Sequence, residues 1–252
     1  MSKIDLNCDM GESFGNYKLG DDAEMLNYVT SANIACGFHA GDPVVMAQTV
    51  ALAVAKGVTL GAHPSYPDLQ GFGRRKMELS SDEIEALVLY QIGALAAFAH
   101  ASGTELTHVK AHGMLYNTAA IEPPVAKALA HAIARYSQGL TMVCLATSPL
   151  MIEAGQKAGL RVAREAFADR AYNADGTLVN RKQPGSLFTE PRQALEQVLR
   201  LVKQGEIRAV DGSTLKLEAD TVCIHGDGLA ALPIARTLRQ QLTQEGITLS
   251  PY

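Results

Sequence analysis

Short apolar runs that break off into clusters of Asp, Glu, His and Lys recur along the chain, and a helical pattern follows most of them. The clusters lie in Ile4–Glu12, Ala32–Asp42, Val58–Asp68, Thr107–Asn117, Arg161–Asp169 and Thr221–Gly228. The spacing predicts seven strands, at about 3–8, 31–36, 58–62, 107–111, 140–145, 160–165 and 221–225. Between them, Asp42 as N-cap and Pro43 as first helical residue open a helix with an apolar stripe from Val44 to Lys56, closed by Gly57. Ser80–Glu83 reads as a capping box starting a helix that reaches about Ser102. Further helices are expected over 123–136, 148–159, 189–204 and 229–245. Strict alternation of strand and helix means a parallel sheet. Seven units fit an incomplete TIM-like (β/α)7 barrel, one domain over 1–252, better than an open sheet. All strand ends of one polarity then meet on one face, where the active site of such barrels lies.

Alternation within the strands sharpens this picture. Ile4, Leu6 and Cys8 share one face of the first strand and Asp5, Asn7 and Asp9 the other; Val109 and Ala111 likewise oppose His108, Lys110 and His112. Branched aliphatics ordinarily fill a barrel interior. Ionisable groups there are costly unless they pair with one another, a ligand or a metal. The lumen is therefore expected to be polar and suited to a small anionic substrate. Asp9, His63, Lys110 and His112, at strand ends, are the candidate catalytic residues. Glu12, His39, Asp42, Glu165, Asp169, Arg170, His225 and Asp227 are candidates for holding substrate or phosphate, although Asp42 also suits a purely capping role. Asp5 and Asn33, lower in their strands, suit structural hydrogen bonding.

Two segments interrupt the rhythm. The polar stretch 170–188 follows the sixth strand, on the catalytic side, and has the character of a lid. Residues 206–218 read as a hairpin around Asp211-Gly212 on the opposite face, suited to structure or assembly.

His108-x-x-x-His112 resembles a helical metal pair, but on a strand its ends lie roughly 13 Å apart, too far for one ion. A divalent metal gathered from different strands, for instance by Asp9, His39, His63 and His112, stays open beside direct general acid–base chemistry. The 47% apolar content supports one large α/β core, and a net charge of −4 with no basic run argues against a nucleic-acid partner. No apolar stretch near 18 residues is evident, so no membrane span is expected, and the absence of a signal-peptide pattern points to the cytoplasm. Cys8, Cys36, Cys144 and Cys223 lack C-x-x-C spacing and suit core packing. No G-x-G-x-x-G, P-loop or G-x-S-x-G pattern occurs.

The strings Asp5–Gly15, Asn33–Asp42, Gly61–Asp68, Val109–Asn117, Glu165–Tyr172 and Ile224–Asp227 resemble the LamB/YcsF family across essentially the whole chain. The resemblance implies a barrel of the glycoside hydrolase/deacetylase type. It also implies the A subunit of a bacterial assembly with two further subunits, B and C, which opens the lactam ring of 5-oxo-L-proline to L-glutamate while ATP is cleaved to ADP and phosphate. Under that implication His63 or His112 is the base, Asp9 orients it, and Lys110 with Arg170 binds carboxylate or phosphate. ATP, without a P-loop, would meet the glycine-rich loops 36–41 and 225–228 or a partner. The competing readings are a stand-alone metal-dependent deacetylase or amidohydrolase and a non-catalytic scaffolding subunit.

Overall fold

A computed structural model describes residues 2–226 and 228–252. Strands β1 (Lys3–Met10), β2 (Ser31–Ala35), β3 (Thr59–His63), β4 (His108–Val109), β5 (Thr141–Leu145) and β6 (Arg161–Phe167) pair in sequence order, all parallel. An antiparallel hairpin, β7 (Glu206–Arg208) with β8 (Thr214–Lys216), precedes β9 (Thr221–Ile224). Strand β9 bonds to both β6 and β1 and so closes the ring. The expected (β/α)7 barrel is therefore formed, with the 206–218 hairpin where the Asp211-Gly212 turn places it. β4 shrinks to two residues, but Thr107, Lys110 and His112 continue its ladder by donating to the carbonyls of Leu60, Ala62 and Pro64.

The outer layer comprises α1 (Asp22–Met25), α2 (Pro43–Lys56), α3 (Ser81–Ala101), α4 (Gly113–Ala119), α5 (Pro123–Tyr136), α6 (Pro149–Lys157), α7 (Pro191–Gln204) and α8 (Ala231–Gln244). The foreseen caps are present. Asp42 accepts from the amides of Val44 and Val45, and the Ser80–Glu83 box is reciprocal. Apolar strand residues such as Leu6, Cys8, Ile34, Leu60 and Ala62 pack outward against the helices as one buried core, whereas Cys223, also buried, turns its thiol inward to Lys110.

The short α1 and α4 and the strand β10 (Thr248–Leu249), which adds to β1 through Lys3 and Ile4, carry no signal in the sequence pattern. The expectation that no apolar stretch approaches a membrane span needs correction. α3 has 21 residues and a hydropathy of 1.5, enough by length and composition. It nevertheless packs Ile84, Val88, Ile92 and Leu95 into the core, and its buried Gln91 bonds both the amide and the carbonyl of Ser65, fixing the loop after β3.

Candidate active site at the barrel mouth

Strand register stacks the inward side chains in layers. In the lowest layer Asp5 accepts hydrogen bonds from Thr30 and Ser31, each at 2.6 Å, and from Thr221. Above it, Asn33, Gly61 and His108 stand side by side on β2, β3 and β4. The His108 ring occupies the space over Gly61: a Cβ there would lie 2.1 Å from Nε2, so the strand requires glycine. His108 is bonded through Nε2 to Asn33 Oδ1 (2.8 Å) and through Nδ1 to Thr107 (2.8 Å). Burial, reinforced by the Lys110 charge, drops its pKa to about 3, so the ring is neutral.

The next layer centres on Lys110. Its ammonium lies 2.9 Å from Asp9 and 2.8 Å from Glu165, and also donates to Cys223 Sγ at 3.0 Å. Glu165 further accepts from Tyr116 (2.8 Å) and Asn7 (3.1 Å). Burial disfavours charge on Lys110, yet Asp9, Cys223 and Glu165 hold its pKa well above the ordinary lysine value. Burial likewise opposes ionisation of Asp9, but His63 and Lys110 outweigh it and keep the carboxyl well below its usual range. Both groups are ionised in a compact, satisfied network.

At the mouth four side chains from different strand ends converge. Glu12, His39, His63 and His112 are buried, and their ligand-capable atoms all lie within 4.8 Å of one another. His39 Nε2 is 3.1 Å and His112 Nδ1 3.5 Å from Glu12 Oε1; His112 Nδ1 is 3.0 Å from His63 Nε2. His39 stacks on His112 at 3.7 Å with planes 4° apart. Behind the rings, His63 Nδ1 faces the Lys110 carbonyl (2.8 Å) and His112 Nε2 the Phe72 carbonyl (2.9 Å). Burial pushes His39 and His112 well below the usual histidine pKa, with neighbouring histidines adding to the effect. Phe72 presents that carbonyl from a left-handed backbone (φ 55°), the one non-glycine residue so placed among those described. Such strain, costing about 1–3 kcal/mol, collects at functional sites.

Across the mouth, His225 pairs through Nδ1 with Asp169 (2.9 Å) and stacks on Phe167 at 5.2 Å. Burial opposes ionisation of Asp169, but His225 brings it below the usual carboxylate range. The same side carries positive charge. Arg170 is buried, donates from Nη2 to the Val179 carbonyl (2.6 Å), and leaves Nε without a partner. Burial, then the nearby Arg181 and, more weakly, Arg74, lower its pKa to about 10.

The model of the LamB/YcsF family matches residues 4–252. This chain belongs to that family. It is 53% identical over 250 residues (99% of this chain, 97% of the other) to a Bacillus subtilis protein named as the A subunit of 5-oxoprolinase. It is 56% identical over 247 residues (98% and 95%) to one of the same name from Methylococcus capsulatus. The crystal structure of a lactam utilization protein from Thermus thermophilus superposes with a TM-score of 0.94 at 47% identity, covering 99% of this chain and 100% of that one. A solved T48 deacetylase aligns at 13% identity and TM-score 0.51 over 99% of this chain and 88% of its own, a likeness of fold alone.

In this LamB/YcsF barrel, Asp9, Glu12, His39, His63, Lys110, His112, Glu165, Asp169, Arg170 and His225 all lie at or just below the mouth. Two expected roles change. Asp42 is occupied as the α2 cap and by the Gly15 amide (2.7 Å), leaving its carboxylate no place in the site. Lys110 is held by two carboxylates and a thiol, so it neutralises and positions buried groups rather than gripping an incoming anion. Asp227 lies outside the described residues. Stretch 170–188 is a laced loop: Arg170 bridges Leu187, and Tyr172 bridges Leu178. Sequence reading gave no role to Tyr116, Phe72, Arg74 or Arg181, and placed Asn7 on the inward face without making it a site candidate. Only alternation in the first strand signalled any of these, through Asn7.

Proposed function

We propose that this chain is the A subunit of an ATP-hydrolysing 5-oxoprolinase, working with two further subunits, B and C, to convert 5-oxo-L-proline to L-glutamate. Identities of 53% and 56% over nearly the full length to chains named as the A subunit of 5-oxoprolinase carry the reading. The mouth's chemistry supports it. A lactam is a resonance-stabilised amide and a poor electrophile, so phosphoryl transfer from ATP to the carbonyl oxygen activates the ring carbon. One water adds to that carbon, the C–N bond breaks with a proton passing to nitrogen, and a second water releases phosphate from the resulting acyl phosphate.

Within this chain the base assignment passes from His63 and His112 to His225. The reactive nitrogens of His63 and His112 face each other and Glu12. His225 has Nδ1 committed to Asp169, which leaves Nε2 as the proton acceptor. At 12% side-chain exposure it is more open than His63 at 1% or His112 at 6%. Arg170, with Arg74 and Arg181, concentrates positive charge for the substrate carboxylate or the transferred phosphate. Asp9, Lys110 and Glu165 hold the base of the mouth rigid.

The test is glutamate formation from 5-oxoproline and ATP by B and C with and without this chain. Turnover that requires all three supports the assignment; turnover unchanged by omitting this chain overturns it.

A further inference from the structure

The contacts behind His63 and His112 fix which of their nitrogens carry hydrogen. A carbonyl oxygen only accepts, so Nδ1 of His63, facing the Lys110 carbonyl, and Nε2 of His112, facing the Phe72 carbonyl, are the protonated atoms. His112 Nδ1 is then left as an acceptor, and so is His63 Nε2 whenever that ring carries a single hydrogen. These two atoms are 3.0 Å apart. Two acceptors at hydrogen-bond distance with no hydrogen between them repel, unless a positive centre sits between them. The other atoms aimed at the same point add electron density: Glu12 Oε1 is 3.5 Å from His112 Nδ1 and 3.1 Å from His39 Nε2, and Asp9 Oδ2 is 3.4 Å from His63 Nε2.

The spacing suits a metal ion. Four ligands about 2.1 Å from a tetrahedral zinc stand about 3.4 Å apart. Three of the separations here are 3.0, 3.1 and 3.5 Å and all lie within 4.8 Å; the parallel His39 and His112 rings must tilt for both in-plane lone pairs to reach one ion. Backbone carbonyls behind two of the imidazoles are the outer contacts that orient metal-binding histidines. The strained Phe72 backbone that supplies one of them then has a purpose. We propose that Glu12, His39, His63 and His112 form a binding site for one divalent transition metal ion of the zinc class. Three nitrogens and one carboxylate oxygen match zinc better than magnesium or calcium, which prefer oxygen. An ion there would supply Lewis acidity toward a carbonyl or phosphoryl oxygen. The ligands come from four strand ends, and His108 takes no part, being bonded to Asn33 one layer below.

Metal uptake by these residues is independent of ATP coupling and can be read without activity. The purified chain is stripped with a chelator, then titrated with Zn2+ and separately with Co2+, following stoichiometry, thermal unfolding and the visible absorption of cobalt. Expected are one equivalent bound per chain, a raised melting temperature and cobalt bands of tetrahedral intensity. Glu12→Gln, His39→Gln and His63→Gln should each weaken binding at least about tenfold, with circular dichroism verifying that they fold. His108→Gln should bind as the parent does. Failure of the stripped parent chain to take up either ion, or uptake undiminished in the folded ligand variants, overturns the site. Nitrogen NMR of the stripped chain showing a proton on His63 Nε2 or His112 Nδ1 that zinc fails to displace would equally reject it.

Discussion

At the lower end of the lumen Asp5 is surrounded by three hydroxyl donors, and His108 is held between Thr107 and Asn33. At the upper end His63 and His112 bring ring nitrogens within 3.0 Å of each other beside Glu12, and Arg170 Nε has no partner. Both regions are buried and built from similar residue types. The lower one is polar yet complete, so its hydrogen bonds stabilise the barrel and leave nothing to offer a ligand. The upper one is incomplete by itself, and its unmet bonding capacity marks where a substrate, anion or ion completes it. Burial of a polar group therefore does not separate structure from function in this protein; satisfaction of that group does.

Three single substitutions, and one added second change, sharpen that contrast. The largest effect is expected at His225, the open imidazole. His225→Gln should lower kcat of the reconstituted enzyme by about 100- to 10,000-fold while the melting temperature holds. A near-normal kcat there would return the base role to the His63–His112 pair. Lys110→Met should act in the opposite manner, on the fold. It leaves Asp9 and Glu165 facing each other in a buried layer, at a cost of about 3–5 kcal/mol in urea unfolding. Adding Glu165→Gln, which removes one of the two charges, should recover part of the loss; no recovery would mean that packing of the lysine stem dominates. The smallest effect is expected at Asp42→Ala, a loss of about 1 kcal/mol from the α2 cap with kcat/KM unchanged. A rise in KM would restore Asp42 to the binding site.

Much of the site was readable because alternation sorts a strand into two faces. Once β1 and β4 were recognised, Asp9, Lys110 and His112 had to point inward, and polar clusters at strand ends had to meet. Seven strand–helix units likewise announced the barrel, and Asp42-Pro43 and Ser80–Glu83 marked helix starts. The short α4 was hidden because its onset depends on Gly113 at φ 55°, packed against the Gly73 carbonyl from a distant loop. Arg74, Phe72 and Arg181 were hidden because loops carry no period. The pairing of Lys110 with both Asp9 and Glu165 converts an apparent anion grip into an internal neutraliser, and it joins strands far apart in the chain.

The sequence by itself determined the barrel, its polarity, the inward set of ionisable residues and the family, since period, caps and local strings are properties of the chain read in order. Tertiary structure alone decided which of those residues are mutually satisfied and which are left facing one another. Hydrogen bonding and charge pairing depend on separations of about 3 Å between groups far apart in sequence, and only ring closure of the sheet sets those separations.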